Sequence, residues 1–508
     1  MDLRLSTSIV CLFALLGGAK AQDWTILSDS AKYNVELSGA TCSGDAAPSW
    51  FVNNRYGLSS TKLNSGYIRA SLMRPTESVD NGSDWKIGYG LDIAVAANHS
   101  STMILQQAFA DAQYKKIRLG LGIKERKSEF KDKELSSGSL CLGTNARPVP
   151  QVRFEIPEYL NIPGTKEMVA IKGHVAYGMF NDNEWQKDNV AKDEDGIPYG
   201  RYTKSVLYHS KAGYLRIGNE SAPLTFEGGL EMACQFGGTA YNVVGRSEDN
   251  TSTNYKTIKY GEKLKDYWNA FIPGGSDQTD GTYANAAGNQ LGAWLLSLKY
   301  NGNGWGVKAY YDHYFEDHSQ MFVQYGWKDG LYGFQAALPE NRLVSNIVYE
   351  FLNMTHQSGP IYHDHTANIP DQISGQDNYY NHGNYIGWQH NGMCMGNGLI
   401  TSPAYKTNDN LYFMSNRIKA HHIGINGNPF GWLHYRVLFS HTMNLGTYSL
   451  PYDNPTYNNA VLAELNIKPE NLEGWSGTIS FASDHGKELG NNTGVMLTIR
   501  KSGLIKKF

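Results

Sequence analysis

One stretch of the sequence, residues 359–403, concentrates side chains that could bind a ligand or do chemistry. Four histidines lie there among acidic, amide and aromatic residues, with glycines between them. Most of the stretch has neither helical nor strand periodicity, and a connection this long inside a compact domain is usually functional or disordered. Its aromatic content argues against disorder. We therefore predict a functional loop that a scaffold of strands holds in place.

The most specific part of this loop is residues 375–391, GQDNYYNHGNYIGWQHN. Its amide, carboxylate and imidazole groups can donate and accept hydrogen bonds, while its aromatic rings offer flat apolar faces. Sugars present hydroxyl rims and C–H faces, so the mixture is typical of a carbohydrate-binding surface. The alternative is that the rings only pack the loop into the interior. The predicted ligand contacts of the loop are His363, Asp364, His365, Asp377, Asn378, Tyr379, Tyr380, Asn381, His382, Trp388, Gln389 and His390.

The residues His363 and His365 form an H-x-H pattern around Asp364. Two imidazoles could meet one metal ion, but a metal site needs a third and usually a fourth ligand with supporting hydrogen bonds. The sequence does not place His313 or the His421–His422 pair near them. We interpret the pattern as a polar anchor or carbohydrate contact, and we predict no metal and no cofactor.

Motifs for catalysis are weak in this sequence. It has no G-x-S-x-G elbow, no S-x-x-K in a convincing setting and no glycine-rich phosphate loop. A glycosidase needs two carboxylates, but their spacing along a chain is not diagnostic. We predict a protein that is not an enzyme and has no catalytic residues; a histidine-assisted hydrolase in the wall of the fold is the best alternative in that class.

The first 21 residues predict export. Arg4 supplies a positive charge, residues 9–16 are apolar, and Ala19-Lys20-Ala21 is an A-x-A cleavage pattern. A membrane anchor would need about 20 apolar residues. We expect residues 1–21 to be a signal peptide and residues 22–508 to form one domain.

The charge and cysteine content exclude some partners. Of 45 basic and 48 acidic residues, removal of residues 1–21 takes Arg4, Lys20 and Asp2, which leaves a net charge of −4. This balance gives no reason to expect nucleic acid as a partner. The four remaining cysteines are far apart, without C-x-x-C spacing, so the fold does not look built on disulfides.

Apolar and polar side chains alternate over long segments. In residues 85–95, apolar side chains follow every second position from Trp85, whereas Lys86, Asp92 and small residues lie between them. The same alternation occurs in residues 117–124, 169–179, 224–236, 294–300, 307–312, 433–440 and 475–484. Period two over about ten residues suits a tilted strand that crosses a bilayer. A soluble sandwich also alternates, but its strands average about five or six residues and its exterior is polar.

Composition and the chain ends agree with a membrane barrel. With 33 Tyr and 54 Gly and a mean hydropathy of −0.45, the chain is polar on average, as barrel strands are. The terminal Phe508 resembles the signal of outer-membrane barrels, although Lys506 and Lys507 interrupt the apolar pattern. One segment differs: in residues 262–272, Leu264 and Trp268 share a helical face, which predicts a short helix in a long loop.

Three motifs resemble the Wzi-type capsule assembly proteins of Gram-negative outer membranes. They are PSWFVNNRYG at residues 48–57, FGGT at 236–239 followed by DYWNAFIPGGSD at 266–277, and GQDNYYNHGNYIGWQHNG at 375–392. They span most of the mature chain, and the last is the most specific. The chain departs from the best-known members because residues 22–69 have too little helical pattern for a periplasmic helical bundle.

The resemblance implies an all-β fold, a single transmembrane antiparallel β-barrel of about 18 strands, with long extracellular loops and a short loop helix. It also implies a lectin-like role in attaching capsular or other surface polysaccharide, without catalysis. The expected location is the cell outer membrane. The expected partners are that polysaccharide, outer-membrane lipid and the barrel assembly machinery, but no nucleic acid, and the protein is expected to be a monomer. The alternative is an outer-membrane porin or sugar channel.

Overall fold

The structure of the protein is a computed structural model. It describes residues 30–79, 82–219, 221–246, 253–273, 287–316, 321, 328–339, 341, 343–363, 372–405 and 411–505, without the side chains of 244–246, 253–254, 358–363 and 372–376. The predicted signal peptide, residues 1–21, and Phe508 lie outside the described residues.

Eighteen antiparallel strands among the described residues close into a barrel, and β1 pairs with both β2 and β18. This confirms the predicted fold class. The strands are β1 Lys32–Ser43, β2 Asn64–Arg74, β3 Trp85–Ala97, β4 Met103–Tyr114, β5 Ile117–Ile123, β6 Gln151–Asn161, β7 Val169–Met179, β8 Leu207–Ile217, β9 Leu224–Phe236, β10 Asn289–Asn301, β11 Gly306–Glu316, β12 Gly330–Ala337, β13 Asn346–Asn353, β14 Ile418–Phe430, β15 Leu433–Gly446, β16 Pro451–Ile467, β17 Trp475–Gly486 and β18 Asn492–Leu504.

The two faces of the strands differ as the alternation predicted. On β3, Trp85, Leu91 and Val95 are at least half exposed on the outside, whereas Asp92 and Ala94 on the inside are fully buried. Closure removes the sheet edges, and an apolar outer band is what a bilayer requires of a barrel. One end of the band carries an exposed aromatic girdle consisting of Trp85, Tyr114, Tyr300, Trp305, Phe430, Trp432 and Trp475.

The connections at the two ends of the barrel differ in length. At the end that holds Lys32 and Leu504, the strands are joined by short segments such as 115–116, 302–305 and 431–432. The opposite end carries the long connections 124–150, 180–206, 237–288 and 354–417. Outer-membrane barrels have short periplasmic turns and longer extracellular loops. The end with the long connections is therefore the extracellular end.

The long connections hold short elements of their own. The helices are α1 Ser49–Val52, α2 Asn183–Asn189 and α3 Leu264–Phe271, and the last confirms the helix predicted in residues 262–272. A three-stranded sheet joins Tyr202–Lys204, Thr239–Arg246 and Thr253–Lys259. Two hairpins are formed by Ser358–His363 with Gln372–Gln376, and by Gln389–His390 with Met393–Cys394. Within the described residues, no helix is long and apolar enough to cross a membrane.

The lumen of the barrel is packed with segments of the chain. The main core cluster includes Phe51 of α1, Leu140 and Trp388, all at most 2% exposed. Inward-facing carboxylates such as Asp312 and Glu350 are fully buried because these segments cover them. No disulfide joins the four cysteines among the described residues, as their spacing indicated.

Candidate functional site

The connection 124–150 crosses the lumen and forms the lower layer of a plug. At one side of the barrel, Glu125 contacts Arg69 of β2 at 3.2 Å, and Glu129 contacts Lys172 of β7 at 2.6 Å. These ion pairs fix the start of the connection to the wall from which it departs.

The same connection is anchored to the opposite wall. Lys131 forms an ion pair with Asp312 of β11 at 2.6 Å, and both side chains are buried. Further on, Ser136 donates to Glu350 of β13 at 2.5 Å. A charge buried in a lumen is stable only when it is paired or hydrogen-bonded, so these contacts specify how the chain crosses the barrel.

The predicted ligand loop forms the upper layer of the plug. Tyr379, Tyr380 and Trp388 are 0% exposed. The Tyr380 hydroxyl donates to the Leu140 carbonyl at 2.6 Å, and Tyr379 donates to an oxygen of Asp329 at 3.4 Å. Direct stacking of a sugar on these three rings would require the loop to open, so their role as ligand contacts stays a prediction.

Close backbone approach joins the two layers. The Gly143 N–H donates to the Met395 carbonyl at 2.8 Å. A Cβ added to Gly143 would lie 2.0 Å from the carbonyl oxygen of Gly396. Only glycine fits at such a contact, so the layers meet without space for a side chain between them.

Amide side chains of the loop satisfy main-chain groups. Asn381 accepts from the Phe413 N–H and donates to the Phe413 carbonyl, each at 2.9 Å. Gln389 donates to the carbonyls of Ile386 and Leu411 at 2.8 and 2.6 Å. These bonds tie residues 381–389 to the segment that leads into β14, which is a structural role for both amides.

The first two residues of the predicted set are more accessible. Asp377 is half-buried and Asn378 is exposed. The Asp377 N–H donates to the Gln357 carbonyl at 2.8 Å, and the Asn378 side chain accepts from Asn416 at 2.6 Å. They lie at the edge of the upper layer, where a ligand could reach Asn378.

His382 is held as a neutral hydrogen-bond acceptor. Its Nδ1 accepts the N–H of Asn384 at 3.0 Å, and its carbonyl accepts from Arg201 at 2.9 Å. Burial, together with the Arg201 charge, lowers the pKa of His382 to about 3. The imidazole is therefore uncharged at neutral pH.

His390 is 1% exposed and lies between the plug and the α2 connection. Its two ring nitrogens lie 2.8 Å from the Arg147 carbonyl and 2.8 Å from the Asn181 side chain. Burial lowers the pKa of His390. Both nitrogens therefore face oxygen acceptors, the Arg147 carbonyl at Nδ1 and Oδ1 of Asn181 at Nε2, and a neutral ring donates to one of them.

The remaining predicted contacts fall elsewhere. The main chain of His363 ends a short strand, whereas Asp364 and His365 lie outside the described residues. Among the residues that the structure describes, no three His, Cys, Asp or Glu side chains are grouped to hold a metal ion. Because the side chain of His363 and all of Asp364 and His365 lie outside the described part of the chain, the role of the H-x-H pattern stays a prediction.

A large cleft opens above the plug at the extracellular end. Its volume is about 1090 Å³, and it is bordered by the connections β1–β2, β3–β4 and β7–β8 and by the loop 390–405. Ligand sites are typically concave regions of about 300–1,000 Å³ with a few polar groups. The side chains on its lining with hydrogen-bonding or aromatic character include Asn64, His99, Trp185, Asn189, Asn391 and Tyr405.

The sequence analysis missed Trp185, an aromatic side chain on the lining of this cleft. The α2 N-cap residue Asp182 accepts from the Asn391 N–H at 3.0 Å and holds α2 against the loop. The Trp185 ring lies against Gly392, where a Cβ would approach it to 2.3 Å. A lone tryptophan in a polar stretch, NDNEWQKDN at residues 181–189, was the available signal.

The lining of the cleft carries more acidic than basic side chains. The cleft is lined by the carboxylates of Asp45, Asp182, Glu184 and Asp188 but by only two basic side chains, Lys62 and Arg147. An excess of negative charge repels acidic ligands. The cleft therefore favours neutral or amino-bearing ligands.

Comparisons with known proteins bear on the fold. No protein-family model and no curated protein matches the chain. Among solved structures it is similar to Wzi, an outer-membrane protein involved in group 1 capsule assembly in Escherichia coli and described as a carbohydrate-binding β-barrel. The identity is 11%, the match covers 93% of this chain and 85% of that chain, and the TM-score is 0.53.

Two proteins of Pseudomonas aeruginosa, OccK5 and the outer-membrane protein OprD, also align, but less well. OccK5 matches at 9% identity over 94% of this chain and 98% of its own, with a TM-score of 0.44. OprD matches at 8% identity over 94% of each chain, with a TM-score of 0.43. At 11% identity, the similarity to Wzi shows the fold and not the activity. Together with the apolar outer band, the fold shows that the protein is an outer-membrane β-barrel.

Proposed function

We propose that this barrel is a lectin-like outer-membrane protein of the Wzi type, which binds capsular or other surface polysaccharide and helps its attachment at the cell surface. The observation that carries the proposal is the combination of a packed lumen with an open extracellular cleft of about 1090 Å³. A plugged barrel has its accessible binding surface outside, where surface polysaccharide is found.

The chemistry of the cleft supports a carbohydrate ligand. Trp185 and Tyr405 are half-buried, so each ring keeps an accessible part for the C–H face of a sugar. Asn391 and Asn189 supply amides that can donate and accept hydrogen bonds with hydroxyls. In the described part of the chain, the Trp185 indole N–H makes no hydrogen bond and is available to a ligand.

The predicted loop contributes the floor of this site. His390 and Asn391 line the cleft directly. Tyr379, Tyr380 and Trp388 lie beneath them in the plug, where they hold the floor in position. In this proposal the lining residues of the loop contact the sugar, and the buried rings beneath them support the site.

The fold likeness to Wzi, a protein described as carbohydrate-binding, supports the same class of function. The proposal includes no catalytic step, no metal and no cofactor. A monomer in contact with outer-membrane lipid, inserted by the barrel assembly machinery, is the expected form of the protein.

The experiment is glycan retention by the purified protein, with the surface polysaccharide of the producing cell and unrelated polysaccharides as competitors. Selective retention is the predicted result. In parallel, conductance is measured in liposomes, and a silent wild-type protein is expected because the plug fills the lumen. No retention together with steady conductance would replace the lectin by a porin.

A further inference from the structure

A second cavity lies inside the barrel, on the periplasmic side of the cleft. It has a volume of about 130 Å³ and lies between the start and end of the connection 124–150 and the wall of β6–β9. Its lining includes Pro157 of β6 and Lys172 of β7, which are near the periplasmic ends of those strands. The exposed side chain of Lys127 lies at its border. The cavity is therefore accessible from the periplasmic half of the lumen.

The lining of this cavity is cationic. It includes six basic and three acidic side chains. Three of the basic groups are neutralised: Lys124 pairs with Asp111 at 2.5 Å, and Arg153 pairs with Glu155 at 2.6 Å. Lys172 likewise pairs with Glu129 at 2.6 Å.

The other three basic groups, Arg126, Lys127 and Arg147, form no ion pair among the residues that the structure describes. Glu231, the acidic lining group outside these pairs, accepts from the Tyr214 hydroxyl at 2.7 Å. Three basic groups against this one carboxyl leave the unpaired charge of the cavity positive. Arg147 also borders the extracellular cleft and donates to Ser100 there at 2.5 Å, so Arg126 and Lys127 are the groups directed to the cavity alone.

Arg126 is the centre of this charge. Its guanidinium makes one hydrogen bond in the described part of the chain, to the Lys124 carbonyl at 3.0 Å, although the group has five N–H donors. Burial, and then the neighbouring Arg153, lower the pKa of Arg126 to about 10, so it stays charged at neutral pH. Arg126 is half-buried, and Glu155 and Asp111 act on its charge from a distance, but no described carboxylate contacts it directly. A partly desolvated cation is stabilised by a directly bound anion, which an oxyanion in the cavity would supply.

We propose that the cavity is a binding site for a small oxyanion, a carboxylate or phosphate group that Arg126 holds with two N–H donors and that Lys127 attracts from the periplasmic side. Guanidinium groups bind both anions in this bidentate manner. The volume is large enough for such a group with several waters. Arg147 and Pro148 line both the cavity and the cleft, so they separate this site from the proposed polysaccharide site.

The test is calorimetric titration of the full-length protein in detergent with glucuronate, inorganic phosphate and glucose. Binding of glucuronate or phosphate, but not of glucose, is expected, and the tighter anion identifies the source of the oxyanion. Arg126→Gln should weaken binding at least tenfold, because a charge-assisted bidentate contact is lost. Lys62→Gln, which removes a positive charge from the extracellular cleft, is the matched control and should leave the affinity unchanged.

Heat-modifiable gel mobility checks that each variant is folded. If Arg126→Gln does not fold, Lys127→Gln at the cavity border serves instead. This variant should bind the anion severalfold more weakly than the wild type at low salt, and the difference should become smaller at high salt, which screens the attraction. Absence of binding by both anions, or equal binding by wild type and the folded variants, would overturn the proposal. Glycan retention is measured in a separate experiment. A failure of anion binding therefore does not count against the extracellular site, and the two proposals stay distinguishable.

Discussion

Trp388 donates its indole N–H to the main-chain carbonyl of Cys141 across 2.9 Å, and this bond joins two segments separated by 247 residues. It links the upper layer of the plug to the lower layer. Both layers come from extracellular connections that fold inward, so the lumen is closed by the chain's own loops.

Trp388→Ala should open the plug while the barrel stays folded. Loss of a fully buried tryptophan costs roughly 3–5 kcal/mol, and this loss falls on the plug because Trp388 belongs to no barrel strand. Single-channel conductance in planar bilayers should therefore increase over that of the wild type. Trp388→Phe keeps a ring but loses a hydrogen bond worth about 1 kcal/mol, so its conductance should be intermediate. Absence of conductance for Trp388→Ala would contradict the role of Trp388 in holding the plug closed.

Glu350 should anchor the lower layer. It accepts hydrogen bonds from Ser136 at 2.5 Å, from the Ser137 N–H at 2.8 Å and from Tyr310. Glu350→Ala leaves these donors buried without a partner, at about 1–3 kcal/mol for each group. Trypsin should then cut near Lys131 and Lys133 faster than in the wild type. The exposed Glu473→Ala in a periplasmic turn is the control, and equal cleavage rates in all three proteins would exclude the anchoring role.

Acid should loosen the upper layer through His382. The folded pKa of about 3 lies below the ordinary value of 6.5, so the unfolded loop binds the proton more tightly. The stabilisation is complete above about pH 6.5 and is lost as the pH falls toward 3, at up to about 1.4 kcal/mol per pH unit. His390, whose pKa is also lowered, contributes in the same direction.

The measurement for this prediction is conductance between pH 7 and pH 4. Wild-type openings should become more frequent as the pH falls. His382→Asn keeps an acceptor for the Asn384 N–H but cannot be protonated, so its pH dependence should be weaker. An unchanged pH profile in this variant would show that other groups control the response.

Leu497→Arg tests whether the outer face of β18 lies within the bilayer. Leu497 of β18 is 50% exposed on the outer face, and an arginine on the lipid face costs about 2–4 kcal/mol at the bilayer midplane. The yield of heat-modifiable barrel in outer-membrane fractions should fall. Leu472→Arg, at a residue 51% exposed in a periplasmic turn, should assemble normally. Equal yields would place Leu497 outside the membrane.

The strands could be predicted from the sequence because a barrel wall has a local signature. In β3 every second residue from Trp85 to Val95 is apolar and faces outward, so the alternation appears without knowledge of any distant contact. The helix at Leu264–Phe271 is local in the same sense. Closure of the sheet between β1 and β18 is not local, and the resemblance to a barrel family supplied it.

The plug could not be predicted in the same way. Tyr380 and Trp388 have the chemistry of sugar contacts. Their polar atoms instead donate hydrogen bonds to the carbonyls of Leu140 and Cys141, about 240 residues away in sequence. The partners that hold the connection 124–150 inside the lumen, such as Asp312 for Lys131, are distant in sequence. Trp185 was missed because its position at a binding surface depends on a cleft that four connections form together.

The most direct test of the account is retention of the producing cell's surface polysaccharide by Trp185→Ala. Trp268→Ala is the matched control, because Trp268 is 60% exposed on α3 and does not line the cleft. Asn391→Gly is a second cleft variant that tolerates the φ of 52° at this position. The account predicts that both cleft variants lose retention while Trp268→Ala and the wild type retain polysaccharide equally. Full retention by folded Trp185→Ala and Asn391→Gly would contradict the extracellular cleft as the binding site.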